Sequence, residues 1–352
     1  MEITYIQAIN QALHEEMGRD ENVFVMGEDV GELGGAFKAT EGLLAKFGEE
    51  RVIDTPISEA LIIGAGIGAA VLGMRPVVEM QFADFISCGF DQIVNTAATL
   101  RYRHGGRAAC PLVIRAPSGA GVHGALFHSQ NPEAWFTRVP GLKVVAPATV
   151  YDAKGMLNSA LVGTDPVVFL ESQKLYDLGE QFQPGGVPEG YYEIQLGEPS
   201  VKRPGRDLTI VTLGPALYTA INAADQLLAR FDVSAEVIDL RAAVPIDYEP
   251  LVESVRKTAK VVLVSEEVER GSVMQSVAAN LTQMCFDDLD APPAVVGARN
   301  WITPAAELDS MFFPQPAWVL DAIHEHVLAL PGYQPVTIRT TGELMRRARL
   351  GV

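Results

Sequence analysis

The sequence predicts an α/β protein built from two doubly wound domains. Short apolar strands alternate with helical segments along two stretches of the chain, which makes βαβ units and a mostly parallel sheet with helices on both faces. Between these stretches, residues 177–206 are rich in Gly, Pro, Glu and Gln and read as a linker. The chain has 352 residues, 48% of them hydrophobic, which is too much for one small core and suits two. The expected division is an α/β domain over 1–176, the linker over 177–206, a second α/β domain over 207–330 and a basic-leaning tail over 331–352.

Thr4 and Gln7 form a capping-box pattern, and Ile6, Ile9, Leu13 and Met17 share one face of the helix that follows. NVFVMGEDVG is a strand running into an acidic, Gly-rich loop, and TEGLLAKFG is a short helix with Thr40 as its expected cap. RVIDTP is a strand. In EALIIGAGIGAAVLG, a helix rich in Gly and Ala, a neighbour can approach closely. RPVVEMQF is a strand and GFDQIVNTAATLRYR a helix. PLVIRAP and LKVVAP are strands, TVYDAKGMLNSALVG a helix and DPVVFLES a strand.

The second alternation runs DLTIVTLG (strand), ALYTAINAADQLLARF (helix), SAEVIDL (strand), YEPLVESVRKT (helix) and KVVLVSEE (strand). It continues with RGSVMQSVAANLTQM (helix), PAVVGAR (strand) and PAWVLDAIHEHVLAL (helix). TLGPAL marks a strand-to-helix turn, but no dinucleotide fingerprint or Walker loop is present, so the second domain reads as a packing and assembly platform.

Asp plus Glu is 44 against 27 Lys plus Arg, a formal net charge of -17. Such a surface repels nucleic acid and anionic lipid, which excludes both as expected partners. Cys88, Cys110 and Cys285 are odd in number and lack CxxC spacing, so neither a disulfide framework nor a zinc site is expected, and a reducing cytoplasm fits. The N-terminus has no signal-peptide pattern. The apolar run after Glu59, ALIIGAGIGAAVLG, is too short and too Gly-rich for a membrane span.

Four expected loops share one edge of the first sheet, where open α/β sheets bind ligands. GEDVGELGGAF carries Glu28 and Asp29. DTPISE carries Glu59, with Thr55 the expected cap and Pro56 the expected first helical residue. MQFADFISCGFDQ carries Phe82, Phe85 and Phe90 with Asp84 and Asp91, and GVHGALFHSQNPEAW carries His123 and His128. Each has a plain structural reading: a solvated acidic turn, a carboxylate favoured by the helix dipole, an aromatic corner, a packed loop histidine. His14, His324 and His326 are expected on helix surfaces, and His104 lies in a turn. Acids, aromatics and histidine on one edge together make a site pattern.

DTPISE, RPVVEMQFADF, FDQIVN, His128-Ser129-Gln130, PGLKVV, YDAKG and DPVVFLE occur in one order over roughly residues 4–300. In these motifs the chain resembles the beta subunit of the thiamine-diphosphate-dependent, decarboxylating component of 2-oxo acid dehydrogenase complexes. That family includes pyruvate, branched-chain 2-oxo acid and acetoin dehydrogenases. The resemblance implies a pyrimidine-binding domain followed by a transketolase-like C-terminal domain. It implies that Glu59 hydrogen-bonds the aminopyrimidine ring, favouring the imino tautomer that takes the thiazolium proton. Phe85 then packs on the pyrimidine, Ile57, Gln81 and Glu28 line the same pocket, and His128 serves the substrate and the incoming lipoyl group.

The resemblance also implies a structural potassium ion, held largely by main-chain carbonyls at Leu112, Ala160, Leu161, Gly163 and Asp165. Relatives usually carry Asp and Asn at the last two positions. The Gly-Asp-Gly motif that holds the diphosphate and Mg²⁺ is absent from the chain. This implies an alpha subunit that supplies it, in a heterotetramer of two alpha and two beta chains. A lipoyl domain and a dihydrolipoyl acyltransferase core are the further implied partners, and net negative charge suits a basic binding domain on that core. The alternatives are an acetoin dehydrogenase beta subunit, a split transketolase C-terminal half, and a non-catalytic assembly subunit. The stretch from Arg299 to Pro316 lies outside the family pattern.

Overall fold

A computed structural model of the chain describes residues 2–336; residues 337–352, most of the expected tail, lie outside the described residues. It divides into two compact units. The first comprises the chain up to Val122 together with Phe127–Leu196, and the second His123–Leu126 together with the chain from Gly197 onward. Of the segment expected as a linker, residues 177–196 therefore pack with the first unit and residues 197–206 with the second.

The first unit contains strands β1 (Val23–Gly27), β2 (Val52–Asp54), β3 (Arg75–Glu79), β4 (Val113–Ser118), β5 (Lys143–Val145) and β6 (Val167–Ser172). Its helices are α1 (Tyr5–Arg19), α2 (Leu43–Phe47), α3 (Glu59–Val71), α4 (Leu100–Arg103), α5 (Glu133–Thr137) and α6 (Val150–Val162). The strands are parallel in the order β2-β1-β3-β4-β6-β5. The first three central strands, β1, β3 and β4, are buried along almost their whole length, as parallel strands covered on both faces must be. The chain steps outward from β1 to β2 and then returns to the other side of β1 as β3, so the order reverses between β1 and β3.

The second unit contains β7 (Ser200–Arg203), β8 (Leu208–Thr212), β9 (Ala235–Asp239), β10 (Ala242–Val244), β11 (Val261–Val268) and β12 (Ala294–Ala298). Its helices are α7 (Ala216–Phe231), α8 (Glu249–Thr258), α9 (Val273–Met284), α10 (Asp309–Phe312) and α11 (Pro316–His326). Its sheet runs β12-β11-β8-β9-β7, parallel except for β7, which is antiparallel to β9 at the edge. Two α/β sheets follow one another as the alternation predicts. β7 and β10 are too short to leave a pattern. No helix among the described residues is long and apolar enough to cross a membrane.

The capping box of α1 forms as expected, with reciprocal bonds between Thr4 and Gln7. Three local expectations are corrected. Thr40 does not cap α2: its hydroxyl donates to the Val30 carbonyl (2.7 Å), and left-handed Gly42 precedes the helix instead. Thr55 does not cap α3: its backbone N–H still bonds to Gly27 of β1 (2.9 Å), so the chain cannot turn helical until Ser58. The single helix expected from Gly89 to Arg103 follows a 3₁₀ segment (Ala83–Gly89) and is itself broken into a π segment (Gln92–Ala97) and α4. There the Ala98 N–H reaches back five residues to Ile93, and the Thr99 hydroxyl bonds the Asn95 carbonyl.

α3 lies close on the sheet because of Gly66, where a Cβ would stand 2.8 Å from the Val78 Cγ1 and 3.0 Å from the Leu112 Cδ1. Ile62, Ile63 and Ile67 are buried on this face.

Candidate active site at the carboxyl edge of the first sheet

The loops leaving β2, β1, β3 and β4 come from four neighbouring strands, all parallel, and so open on one edge. They flank the point where strand order reverses, the usual place for a crevice in an open α/β sheet.

Glu59 is the first residue of α3, where the helix dipole stabilises a carboxylate. It is half-buried, and among the described residues its carboxylate has no hydrogen-bond or ion-pair partner. Ile57 beside it is 80% exposed and Leu61, one turn on, 59% exposed. Val71 and Leu72 continue the same open apolar side, so α3 has a second apolar face besides the one on the sheet. The Thr55 hydroxyl next to this face is buried and unpaired.

Glu28 follows β1 and is buried. Burial first, and then the negative charges of Glu59, Asp29 and Glu79, push its carboxyl above the usual glutamate range. The acidic loop behind it is tied to β2 by Asp54, whose carboxylate accepts from the N–H groups of Gly31 (2.6 Å) and Glu32 (3.3 Å). A Cβ at Gly31 would stand 2.6 Å from the Asp54 Oδ2, so a larger residue there would displace this carboxylate.

After β3 come Gln81, half-buried, and the Phe82 and Phe85 rings. His128 meets both rings edge to face, with centroids 4.4 Å from Phe82 and 5.4 Å from Phe85. Phe90 belongs to another cluster, against Phe136. The 3₁₀ segment carrying Phe85 packs on the start of α3: a Cβ on Gly89 would lie 2.2 Å from the Ile63 Cδ1 and 3.4 Å from the Glu59 carbonyl oxygen.

The loop bearing His128 is held from two sides. Gln173, just beyond β6, donates to the His128 carbonyl (3.1 Å) and accepts from the Val122 N–H (3.4 Å). Asp84 accepts from the Gln130 N–H (3.3 Å), and burial raises its carboxyl above the usual aspartate range. His123 is placed elsewhere: its Nδ1 pairs with the Asp309 Oδ2 at 2.6 Å within the second unit. That contact accounts for part of the 299–316 stretch, which is also anchored by a bond from the Arg299 N–H to the Phe312 carbonyl (3.0 Å).

Beneath this edge, Arg115 of β4 is fully buried between two carboxylates. It bonds Glu79 (2.6 Å) and, bidentately, Glu171 (2.6 and 2.8 Å), and Tyr176 donates to Glu171 (3.1 Å). Gln173 and this Arg115 network are absent from the sequence reading. A charged residue within an otherwise apolar strand, in VVEM, VIRAP and FLES, was the available signal for the network.

Two family models cover most of the chain: the transketolase pyrimidine-binding domain matches residues 1–178, and the transketolase C-terminal domain residues 197–319. The chain is 51% identical over 290 residues to the 2-oxoisovalerate dehydrogenase subunit beta of Bacillus subtilis, covering 82% of this chain and 87% of that one. It is 43% identical over 320 residues to the pyruvate dehydrogenase E1 component subunit beta of the same organism, covering 91% and 97%. The chain belongs to the beta-subunit family of the 2-oxo acid dehydrogenases. The family is one of transketolase-like, thiamine-diphosphate enzymes. A solved split-gene transketolase shares the fold, with a TM-score of 0.72 at 24% identity over 92% of this chain and 97% of that one.

The residues present fit the pyrimidine end of the family's cofactor. A half-buried carboxylate with no partner among the described residues stands at the edge beside an apolar surface and a pair of aromatic rings. Of the residues expected around potassium, Ala160, Leu161, Gly163 and Asp165 lie at the C-terminal end of α6 and Leu112 just before β4, and the Leu161 and Gly163 carbonyls already accept from the Arg75 guanidinium. No group of three or more His, Cys, Asp or Glu side chains among the described residues is arranged to hold a metal ion.

Proposed function

We propose that this chain is the beta subunit of a lipoyl-acylating 2-oxo acid dehydrogenase that acts on a branched-chain 2-oxo acid or pyruvate. The observation that carries this reading is the unpaired Glu59 carboxylate at the start of α3, packed against the segment that bears Phe85. The identity to the 2-oxoisovalerate enzyme favours a branched-chain substrate over pyruvate.

Bound thiamine diphosphate would supply the carbon nucleophile that cleaves the bond to the 2-oxo acid carboxylate. Glu59 holds a proton at the pyrimidine ring nitrogen, with Phe85 against the ring and Ile57, Gln81 and Glu28 around it. A hydrogen bond of this kind is stronger where water is excluded. Burial and the neighbouring charge of Glu59 raise the Glu28 carboxyl above the usual glutamate range. His128 delivers a proton to the lipoyl sulfur during acyl transfer, with its ring set by Phe82 and its backbone by Gln173.

The diphosphate and Mg²⁺ belong to an alpha subunit, since the chain has no Gly-Asp-Gly. The exposed apolar face of α3, with Ile57 and Leu61 near the site, is a fitting surface for that partner. Two alpha and two beta chains complete the enzyme, and the acidic surface of this chain suits a basic domain on the acyltransferase core.

Co-purification with the alpha subunit and assay on pyruvate, 2-oxoisovalerate and acetoin tests this reading. Oxidative decarboxylation of 2-oxoisovalerate is expected, and turnover of acetoin alone would replace it with the acetoin reading. His128→Ala should impair transfer to a lipoyl domain more than decarboxylation with an artificial electron acceptor. Equal loss in both assays would remove the role given to His128. A non-catalytic subunit would show no thiamine-dependent gain in thermal stability with both chains, thiamine diphosphate and Mg²⁺ present.

A further inference from the structure

The last carbonyls of α6 and the turn after it carry the negative end of the helix dipole and lack intrahelical donors. They need positive charge or hydrogen bonds. The family's answer would be a potassium ion at the main-chain oxygens of Leu112, Ala160, Leu161, Gly163 and Asp165. In this chain the need is met by side chains. Arg75, the first residue of β3, donates from Nε to the Leu161 carbonyl at 2.8 Å and from Nη2 to the Gly163 carbonyl at 2.5 Å. Arg101 of α4 donates from Nη2 to the Thr164 carbonyl at 3.1 Å and to its hydroxyl at 3.0 Å.

The Asp165 carboxylate is paired with Arg101 (3.0 Å) and Lys143 (3.2 Å), and the Leu112 carbonyl accepts the Val167 N–H (2.9 Å). Three cationic side chains therefore face the turn from residue 161 to 165. Arg75 also faces the carboxylate of Asp20, at 3.8 Å from Nε, and its charge acts on the Glu16 carboxyl. An alkali ion at the same oxygens would compete for lone pairs that already accept from guanidinium groups, and would sit beside charges of its own sign.

We infer that the Arg75 guanidinium stands in for the monovalent cation, so that this beta subunit holds the end of α6 without potassium. The inference concerns a structural cation and is independent of the substrate and of the catalytic reading.

The test is the thermal midpoint of the full-length chain, alone and with its alpha subunit, in choline, sodium and potassium chloride at equal ionic strength. The expected result is one midpoint in all three salts. A potassium-specific rise in the unmodified protein would overturn the inference. Arg75→Met should lower the midpoint, and potassium, but not sodium, should recover part of the loss because the carbonyls are freed. An Arg75→Met midpoint equal to that of the unmodified chain in potassium-free buffer would also overturn it. Where Arg75→Met does not fold, thallium-205 NMR of the unmodified protein decides, with thallium(I) as the potassium probe. No saturable bound signal is expected, and a saturable one displaced by potassium contradicts the inference.

Discussion

The imidazole of His128 stands at 89° to the ring of Phe82, with the two centroids 4.4 Å apart. This contact joins the loop after β4 to the loop after β3, and so fixes the histidine against the aromatic pair instead of leaving it free in a Gly-rich loop.

Phe82→Leu keeps apolar volume but removes the ring face. An aromatic contact of this geometry contributes about 1 kcal/mol beyond its buried area, which corresponds to roughly fivefold in rate. Acyl transfer to the lipoyl domain should fall by about that factor, with a smaller change in decarboxylation measured with an artificial acceptor. Steady-state kinetics of the reconstituted pair with both acceptors measures the difference.

Gln173→Leu removes both side-chain bonds that hold the His128 loop. Each such bond is worth about 1 kcal/mol, so a loss of roughly thirtyfold in kcat for lipoyl acylation is expected. Because the loop lies at the edge and the core is untouched, thiamine diphosphate binding should stay close to normal. A variant with normal kcat would show that the loop is positioned without Gln173.

Glu28→Gln gives a pH-dependent stability difference. The folded state raises the Glu28 carboxyl above its unfolded value, so the folded chain binds the proton more tightly between the two. Stability contributed by this group is therefore present at low pH and is lost as pH rises through the raised value. At neutral pH the variant should be more stable than the unmodified protein, and the gain should vanish as pH falls through the ordinary carboxylate range. Thermal denaturation across pH follows the difference, and a gain independent of pH would contradict the assignment to Glu28.

Arg115→Met leaves Glu79 and Glu171 buried without their counter-charge. Removing one partner from a buried ion pair costs about 3–5 kcal/mol. Denaturant unfolding should show this loss in the first unit, and Glu79→Gln with Glu171→Gln in the same variant should recover part of it.

The fold was legible because parallel strands buried on both faces are continuous apolar runs. NVFVMG, RPVVE and PLVIRAP could be little else. The four loops at one edge followed from that alternation. The start of α3 was misplaced because Thr55 looks like a cap in sequence, while in space its N–H completes the bonding of β1. The break after β3 was invisible because Gly89 reads as an ordinary helix boundary until Ile63 is packed over it. Gln173 and Arg115 were missed for a related reason: each acts through partners more than 30 residues away in sequence. Glu59, Phe85 and His128 were legible through residue type and through the family resemblance. Their placement on one edge depends on the strand order, and Ile57 became informative only through its exposure beside Glu59.

The most direct measurement is oxidative decarboxylation by the reconstituted pair carrying Glu59→Gln. This change keeps the shape of the side chain and its place at the start of α3 but removes the carboxylate. Proton handling by a positioned side chain contributes roughly 10²–10⁴-fold, so activity should fall by that order while the variant still assembles with the alpha subunit. Full activity in the assembled Glu59→Gln pair would contradict the role given to this carboxylate, and with it the reading of the edge as the cofactor site.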